Sequence, residues 1–189
     1  MKYPFKKKEN TMFTSQVTEE IRKNVQSALE EDPNFMPAFL AKKLGISEAV
    51  VVAALPDEMR SFIDAKRFEE IWAEAGKWEK ATFIVSAPGA IVEYKGTIPK
   101  GSFGHGYFNL MDKTHPLGGH LLVSKLASIC FLNKQLFNLE SLSIQFFDHD
   151  GAQMFAIYAG REKKDIIPAV KDAWCSMKEH FCKNSSDKK

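Results

Sequence analysis

The chain has 189 residues, 44% of them hydrophobic and 26% charged, which is enough for one core with a small appended subdomain. Its 26 basic and 24 acidic residues nearly cancel, so no strong overall field favours nucleic acid or an anionic membrane surface. Three cysteines without a C-x-x-C pair exclude a disulfide framework, and no apolar run is long enough for a signal peptide or a membrane span. We therefore expect a cytoplasmic protein.

The N-terminal part of the chain has helical periodicity. Apolar residues at intervals of three and four predict an amphipathic helix over 14–31. The stretch 36–56 predicts two short helices that meet at Gly45, and another helix follows over 64–76. These helices are expected to form one subdomain.

The pattern changes after residue 81 to short runs rich in Val, Ile, Phe and Tyr, which predict strands. The predicted strands lie near 82–86, 90–95, 104–111, 120–124, 127–133, 142–148 and 152–159. Their close spacing implies an antiparallel meander, and an amphipathic helix over 165–181 is expected to close it. The predicted core includes Phe131, Phe146, Phe155 and Trp174.

The expected fold class is therefore α+β, with a helical N-terminal subdomain packed on an antiparallel meander sheet that a C-terminal helix closes. The predicted boundaries are 1–13 for a basic N-terminal tail, 14–80 for the helical subdomain, 81–183 for the sheet domain with its C-terminal helix, and 184–189 for a disordered tail.

The helix pair over 36–56 has the spacing of a helix-turn-helix, because Ala41 and Gly45 would let two helices meet closely. The second helix, 47-SEAVVVAAL-55, offers no Lys, Arg, Asn or Gln to bases or phosphates, and Glu48 lies at the end that would face the groove. We therefore expect no nucleic-acid contact, and a DNA-binding regulator is the least favoured hypothesis.

Motifs for catalysis are lacking. The sequence has no G-x-S-x-G, P-loop or H-E-x-x-H, which argues against hydrolases and kinases. Cys175 and Cys182 share a helix face without suitably paired histidines, so we interpret the cysteines as buried structural thiols rather than zinc ligands.

Three of the five histidines fall in the stretch 103-FGHGYFNLMDKTHPLGGHLLV-123. His105 is predicted to open a strand with Tyr107 and Asn109 on its face, while Phe108 points to the other face. An imidazole and a phenol on one sheet face with flanking phenylalanines would suit a flat apolar cofactor that carries iron.

His115 lies in the turn region of this stretch, and His120 opens the returning strand. Gly118 and Gly119 immediately precede His120 and leave room for a broad group to approach the backbone. Each histidine also has an ordinary interpretation as a hydrogen-bonded surface or core residue, and the residues alone leave both interpretations open.

Three ordered runs extend through the second half of the chain: 98-IPKGSFGHGYFNLMD-112, 118-GGHLLVSKLASICFL-132 and 145-QFFDHDGAQMFAIYAGREKK-164. They resemble the ChuX/HutX family of cytosolic haem-utilisation carrier proteins, and G-Y-F-N-L is the most specific motif. The resemblance implies a helical part on an antiparallel sheet, a dimer that joins two sheets, and haem carried to a degrading or accepting partner.

The resemblance also implies an iron ligand. The axial histidine of the family matches His120, whereas a second family histidine, in the strand before 93-EYKG-96, falls at Ser86. Serine does not supply a strong axial nitrogen to iron. Three alternatives follow: His120 as the single ligand, a substitute donor such as Tyr107 or, less favoured, His105, or loss of haem binding.

The predicted function is an intracellular haem carrier or storage protein of haem uptake and utilisation, which holds haem without reacting with it. The candidate apolar walls of the site are Phe103, Phe108, Leu122 and Phe146. The candidate propionate partners are Lys125, Lys134 and Arg161.

Two further expectations concern assembly and chemistry. Long edge strands rich in Val, Ile and Phe are normally paired or covered, so we expect a two-fold homodimer. The main alternative function is an oxygenase-like haem-degrading enzyme, because a five-coordinate iron with an open side could activate oxygen.

Overall fold

A computed structural model describes residues 12–184, so the predicted tails, except for their innermost residues, lie outside it. The helices are α1 (Glu19–Glu31), α2 (Pro37–Leu44), α3 (Glu48–Ala54), α4 (Phe68–Ala75) and α5 (Pro168–Asn184). The strands are β1 (Arg60–Asp64), β2 (Ala81–Ala87), β3 (Ala90–Gly96), β4 (Ser102–Gly104), β5 (Tyr107–Leu110), β6 (Gly119–Leu121), β7 (Leu126–Asn133), β8 (Leu142–Asp148), β9 (Gln153–Ala159), β10 (Arg161–Glu162) and β11 (Asp165–Ile166). These elements confirm the α+β class.

Capping residues set the ends of the first helices. The Thr18 hydroxyl accepts a hydrogen bond from the Ile21 amide at 3.2 Å, so α1 begins five residues later than the predicted start at residue 14. Proline opens α2 at Pro37, and Gly45 ends it with φ +67°, a left-handed conformation that glycine adopts without strain.

Helix α3 is buried except at its first residue, Glu48, which is half-buried. Its six residues from Ala49 to Ala54 are all buried, and they pack with Phe62, Cys130 and Phe147 of the sheet. A helix in this position has no free face for a DNA groove, which agrees with the expectation that the helix pair is structural.

The main sheet has six strands in the order β1-β7-β8-β9-β2-β3, and every neighbouring pair is antiparallel. Strands β7, β8 and β9 form a meander. The β2–β3 hairpin precedes β7 in the sequence, but it pairs with the far edge of the meander, at β9. The sheet is therefore not the single continuous meander that the strand spacing suggested.

The sequence analysis missed β1, which pairs with β7 at one edge of this sheet. The strand has only five residues, the first four of them all buried without alternation, so residues 60–63 gave no strand pattern and only Asp64 fell in the helix predicted from residue 64. As a result, the segment 14–80 assigned to the helices also contributes an edge strand to the sheet.

Each face of the main sheet covers a separate core. The N-terminal helices cover one face, where Val25, Val51 and Leu55 pack against the strands. Helices α4 and α5 and the strands around Phe108 cover the other face. The second core contains all four residues predicted to be core, with Phe131 and Phe146 at 0% exposure and Phe155 and Trp174 at 3%.

A separate three-stranded sheet, in the order β4-β5-β6, lies over the second core. The single strand predicted over 104–111 is in fact two strands joined by a turn at His105 and Gly106. Similarly, the first residues of the helix predicted over 165–181 form β11 instead. Helix α5 begins only at Pro168, since proline favours the first position of a helix.

No helix within residues 12–184 is long and apolar enough to cross a membrane.

Candidate functional site

The outer face of the three-stranded sheet brings together Tyr107, Asn109 and His120. Asn109 of β5 lies directly opposite His120 of β6, and cross-strand partners share a face. Tyr107 precedes Asn109 by two residues and therefore lies on the same face. The Tyr107 and His120 rings meet edge to face with centroids 5.9 Å apart, and both side chains are exposed.

The Asn109 amide ties His120 to the neighbouring backbone. Its nitrogen Nδ2 donates to the carbonyl oxygens of Gly104 at 2.8 Å, Tyr107 at 3.2 Å and Ser102 at 3.3 Å. Its oxygen Oδ1 lies 2.6 Å from Nδ1 of His120. The other ring nitrogen of His120, Nε2, has no hydrogen-bond partner within the described part of the chain, so it is available to a ligand.

His105 is not on the strand face where the sequence analysis placed it. It occupies the turn between β4 and β5 with φ +52°, followed by Gly106 with φ +82°. Two successive positive φ values match a type I′ hairpin turn, which needs glycine or a residue that tolerates this region. His105 is exposed at the tip of the hairpin and does not share the face of Tyr107.

His115 has a structural role in the loop between β5 and β6. The Leu117 amide donates to its Nδ1 at 3.1 Å, and its Nε2 lies 3.0 Å from the Thr97 hydroxyl. In the same loop, hydrogen bonds from the Thr114 side chain and backbone lower the pKa of Asp112. Both ring nitrogens of His115 are thus engaged, unlike those of His120.

Ser86 lies near the end of β2 and pairs with Ile91 of β3. The register places Ser86 with Ile84 on the face of the main sheet opposite Phe83, which belongs to the core beneath the three-stranded sheet. No contact in the described structure joins Ser86 to His120. The two positions that the family resemblance associates with iron are therefore not paired within one chain.

Three of the four predicted apolar walls require correction. Phe108 and Phe146 are core residues, with 1% and 0% of their surfaces exposed. Phe108 points to the opposite face of β5 from Tyr107 because successive side chains alternate. Its ring also fills the space above Gly101, where an added Cβ would overlap it.

Phe103, another predicted wall, is the cross-strand partner of Phe108 and contacts its ring, so it lies on the opposite face from His120 although 57% of its surface is exposed. The accessible apolar side chain beside the site is Met111, with 68% of its surface exposed. Leu122, another predicted wall, is half-buried just after β6. Met111 was not predicted, although its position directly after the G-Y-F-N-L strand is visible in the sequence. The site is thus an open aromatic and apolar surface around His120.

The three predicted propionate partners differ in their surroundings. Lys134 is buried, donates to the Pro33 carbonyl at 2.8 Å, and has its pKa lowered to about 8 by burial. Arg161 donates to the Glu140 carbonyl. Lys125 is exposed at the end of the short turn after β6, and of the three it is the one without a described partner.

The donor set suits a single axial bond to iron better than a chelated ion. No group of three His, Cys, Asp or Glu side chains with metal-binding geometry occurs among the residues from 12 to 184. Cys130 is buried as expected for a structural thiol, but Cys175 is exposed, so the interpretation of all three as buried was wrong. One imidazole and one phenol on an open apolar face match the needs of a haem ligand set.

A groove between two helices lies away from the outer face. This groove of about 860 Å³ between α4 and α5 is lined by residues of both helices, including Ala73 and Met177, and by none of the residues of the outer face. A flat ligand at His120 would therefore lie on a surface rather than enter a cavity.

A family model described as haem utilisation ChuX/HutX matches residues 61–177. The matched range begins in β1 and ends in α5, so it includes both sheets and all residues of the outer face.

Individual relatives agree with the family match. The intracellular heme transport protein HutX of Vibrio cholerae is 34% identical over 151 residues, which cover 79% of this chain and 78% of HutX. A crystal structure of a protein from Erwinia carotovora has 30% identity and a TM-score of 0.78, covering 83% of this chain and 98% of that one. A crystal structure of ChuX has 25% identity and a TM-score of 0.77, with coverage of 83% and 97%.

Proposed function

Because this chain belongs to the haem utilisation ChuX/HutX family, we propose that it binds haem inside the cell and passes it to another protein without reacting with it. Its similarity to a relative named as an intracellular heme transport protein supports this function. The observation that carries the proposal is the outer face of the three-stranded sheet, where Nε2 of His120 is free beside an exposed tyrosine.

His120 is the proposed axial ligand of the haem iron. Neutral imidazole is a good donor to iron, and the hydrogen bond at Nδ1 leaves Nε2 as the coordinating atom. Tyr107 is the alternative ligand, because its hydroxyl has no described hydrogen-bond partner and its ring contacts that of His120. His105 is disfavoured because it lies at the hairpin tip.

The open position of the site favours transfer over storage or catalysis. A carrier must shield the apolar macrocycle from aggregation and still release it to a partner. Met111 offers apolar surface, while the exposure of Tyr107 and His120 leaves one side of the haem accessible to an acceptor. With Ser86 rather than histidine at the second family position, a single strong bond holds the iron, which favours release.

Hemin titration followed by transfer tests this function. We expect a saturable Soret change at one hemin per chain, and complete transfer to excess apomyoglobin with the carrier recovered. Ascorbate and oxygen distinguish the alternative: repeated conversion of hemin to an open tetrapyrrole that cyanide inhibits would show a haem-degrading enzyme. Lysozyme in the same buffer is the control protein. A hemin titration indistinguishable from that of lysozyme would contradict haem binding.

We also propose that the protein is a two-fold homodimer through the edge of the main sheet. Within residues 12–184, strand β3 pairs only with β2, and it exposes Ile91 and Val92, with 65% and 63% of their surfaces accessible. Exposed apolar edge strands are normally paired or covered.

Light scattering at micromolar concentration tests this assembly. The double variant Ile91→Lys and Val92→Lys should shift the protein to a monomer, whereas Phe137→Lys, at a site with 76% exposure away from β3, should not. A wild-type monomer, or a dimer that survives both lysines, would argue against the β3 interface.

A further inference from the structure

We propose that Asn109 is a positioning residue that fixes His120 in the Nδ1–H tautomer and so presents an unprotonated Nε2 to the iron. The tautomer itself follows from the protein alone. Its consequence for iron rests on the proposed function.

The orientation of the Asn109 amide follows from its neighbours. Three backbone carbonyl oxygens lie within hydrogen-bond distance of Nδ2, at 2.8, 3.2 and 3.3 Å. Carbonyl oxygens only accept hydrogen bonds, so the atom that faces them must be the NH₂ group. The reversed amide would direct its oxygen at three other oxygens. The Asn109 oxygen therefore faces His120.

The protonation of His120 follows from that oxygen. Oδ1 of an amide is only an acceptor, and it lies 2.6 Å from Nδ1 of His120. A neutral imidazole carries one proton, and here the contact requires that proton on Nδ1. Nε2 then carries the lone pair, and it is the nitrogen without a described partner.

This arrangement matters for iron because a ring nitrogen that carries a proton cannot coordinate. In the other tautomer, Nε2 would be protonated and would have to lose or move its proton before binding. A hydrogen bond from the remote N–H of a ligating histidine also orients the ring and raises its basicity. Asn109 thus prepares the ligand before haem arrives, while it joins the β4–β5 turn to β6.

His115 supplies an internal comparison. The Leu117 amide, which can only donate, lies 3.1 Å from Nδ1 of His115, closer than the Leu117 carbonyl oxygen at 3.3 Å, and this shorter contact assigns that nitrogen as an acceptor. The proton of neutral His115 is therefore on Nε2, which donates to the Thr97 hydroxyl at 3.0 Å. Two histidines of the same loop and strand region are expected to be opposite tautomers.

Long-range ¹H–¹⁵N correlation spectra of the haem-free full chain measure both tautomers at a pH where the imidazoles are neutral. We expect a pyrrole-type Nδ1 and a pyridine-type Nε2 for His120, and the reverse for His115. A pyridine-type Nδ1 in wild-type His120 would overturn the proposal, whatever the protein does with haem.

Two variants test the role of Asn109. Asn109→Asp keeps an oxygen facing Nδ1 and should keep the Nδ1–H tautomer, although its second oxygen replaces the NH₂ group opposite three carbonyl oxygens and should weaken the β4–β5 turn. Asn109→Leu removes the acceptor and should allow Nε2–H to form. If Asn109→Leu fails to fold, the wild-type spectrum and Asn109→Asp still decide. A folded Asn109→Leu with the wild-type tautomer would overturn the proposal.

Hemin titration of the same variants measures the consequence for iron. Loss of the partner of a metal-binding histidine typically weakens metal affinity about 10-fold to 100-fold, so Asn109→Leu should lose about 10-fold in hemin affinity and Asn109→Asp should lose less. Unchanged hemin affinity of Asn109→Leu would refute the positioning role. If His120→Ala also leaves hemin binding unchanged, the failure lies in the proposed ligand, and the tautomer result stands.

Discussion

The anchoring of the three-stranded sheet depends on Phe108, which points inward from the strand that carries Tyr107 and Asn109 outward. The centroid of its ring lies 5.0 Å from that of Phe68 and 5.6 Å from that of Trp72, and both pairs meet edge to face. Only 1% of the residue is exposed. Replacing Phe108 by Ala would remove the ring between this sheet and the core below it.

The expected cost follows from burial and packing. Full burial of a phenylalanine side chain contributes about 1.5–3 kcal/mol, and each aromatic pair adds about 0.5–1.5 kcal/mol. The cavity left by the ring adds a further penalty, so Phe108→Ala should lower the free energy of unfolding by about 3–5 kcal/mol. For a chain of this length, that corresponds to a fall in Tm of roughly 6–20 °C.

Urea unfolding followed by tryptophan fluorescence measures this change, with the m-value checked for constancy. Phe39→Ala is the matched control, because Phe39 is 71% exposed on α2 and its loss should change the free energy by less than about 0.5 kcal/mol. A loss below about 1 kcal/mol for Phe108→Ala would show that the sheet is held by other contacts, and the inward role of Phe108 would be wrong.

Two further predictions concern the other layers of the fold. Trp174 is 3% exposed and donates to the Ser143 carbonyl at 3.1 Å, so Trp174→Ala should cost about 3–5 kcal/mol and Trp174→Phe about 1–3 kcal/mol in urea unfolding. A negligible cost for Trp174→Phe would rule out the hydrogen bond as a contributor, and equal costs for both variants would rule out burial of the ring. Burial raises the pKa of Glu48 from 4.5 to about 7, so the folded protein binds this proton more tightly and stability is lost as pH rises through that window. Glu48→Gln should therefore raise stability by up to about 3 kcal/mol at about pH 8 and change it little at about pH 4, whereas equal effects at both pH values would contradict the shift.

Local chemistry made most of the elements predictable. Gly45 and the residue pair Leu55–Pro56 mark the ends of α2 and α3 in the sequence, and the apolar runs of β7, β8 and β9 match the predicted strands to within one residue at most ends. Such features depend on a few consecutive residues. They can therefore be read without knowing what each segment packs against.

Pairing between distant segments was not predictable. The hairpin at His105 was hidden because histidine is less typical of a type I′ turn than asparagine, although Gly106 follows it. Strands β2 and β9 pair although most of the sheet domain separates them in the sequence, and no local sequence feature specifies this pairing.

The candidate site was predicted only in part, because some of its contacts also depend on pairing between distant segments. Tyr107 and Asn109 share a face by simple alternation, so the sequence analysis placed them together. The contact of Asn109 with His120 depends on the register across an eight-residue loop, and loop length alone does not fix a register. The face of Phe108 was predicted correctly, and only its assignment as a wall of the site was wrong, because an aromatic residue in the motif can pack in the core as readily as against a ligand.

The most direct test of the account is a hemin titration of His120→Ala beside the wild type, Tyr107→Phe and His149→Ala. The account predicts that His120→Ala weakens hemin binding and shifts the Soret band, while His149→Ala, on an exposed turn, behaves like the wild type. An unchanged spectrum for His120→Ala, with loss of the charge-transfer bands in Tyr107→Phe, would identify the tyrosine as the ligand and contradict the account.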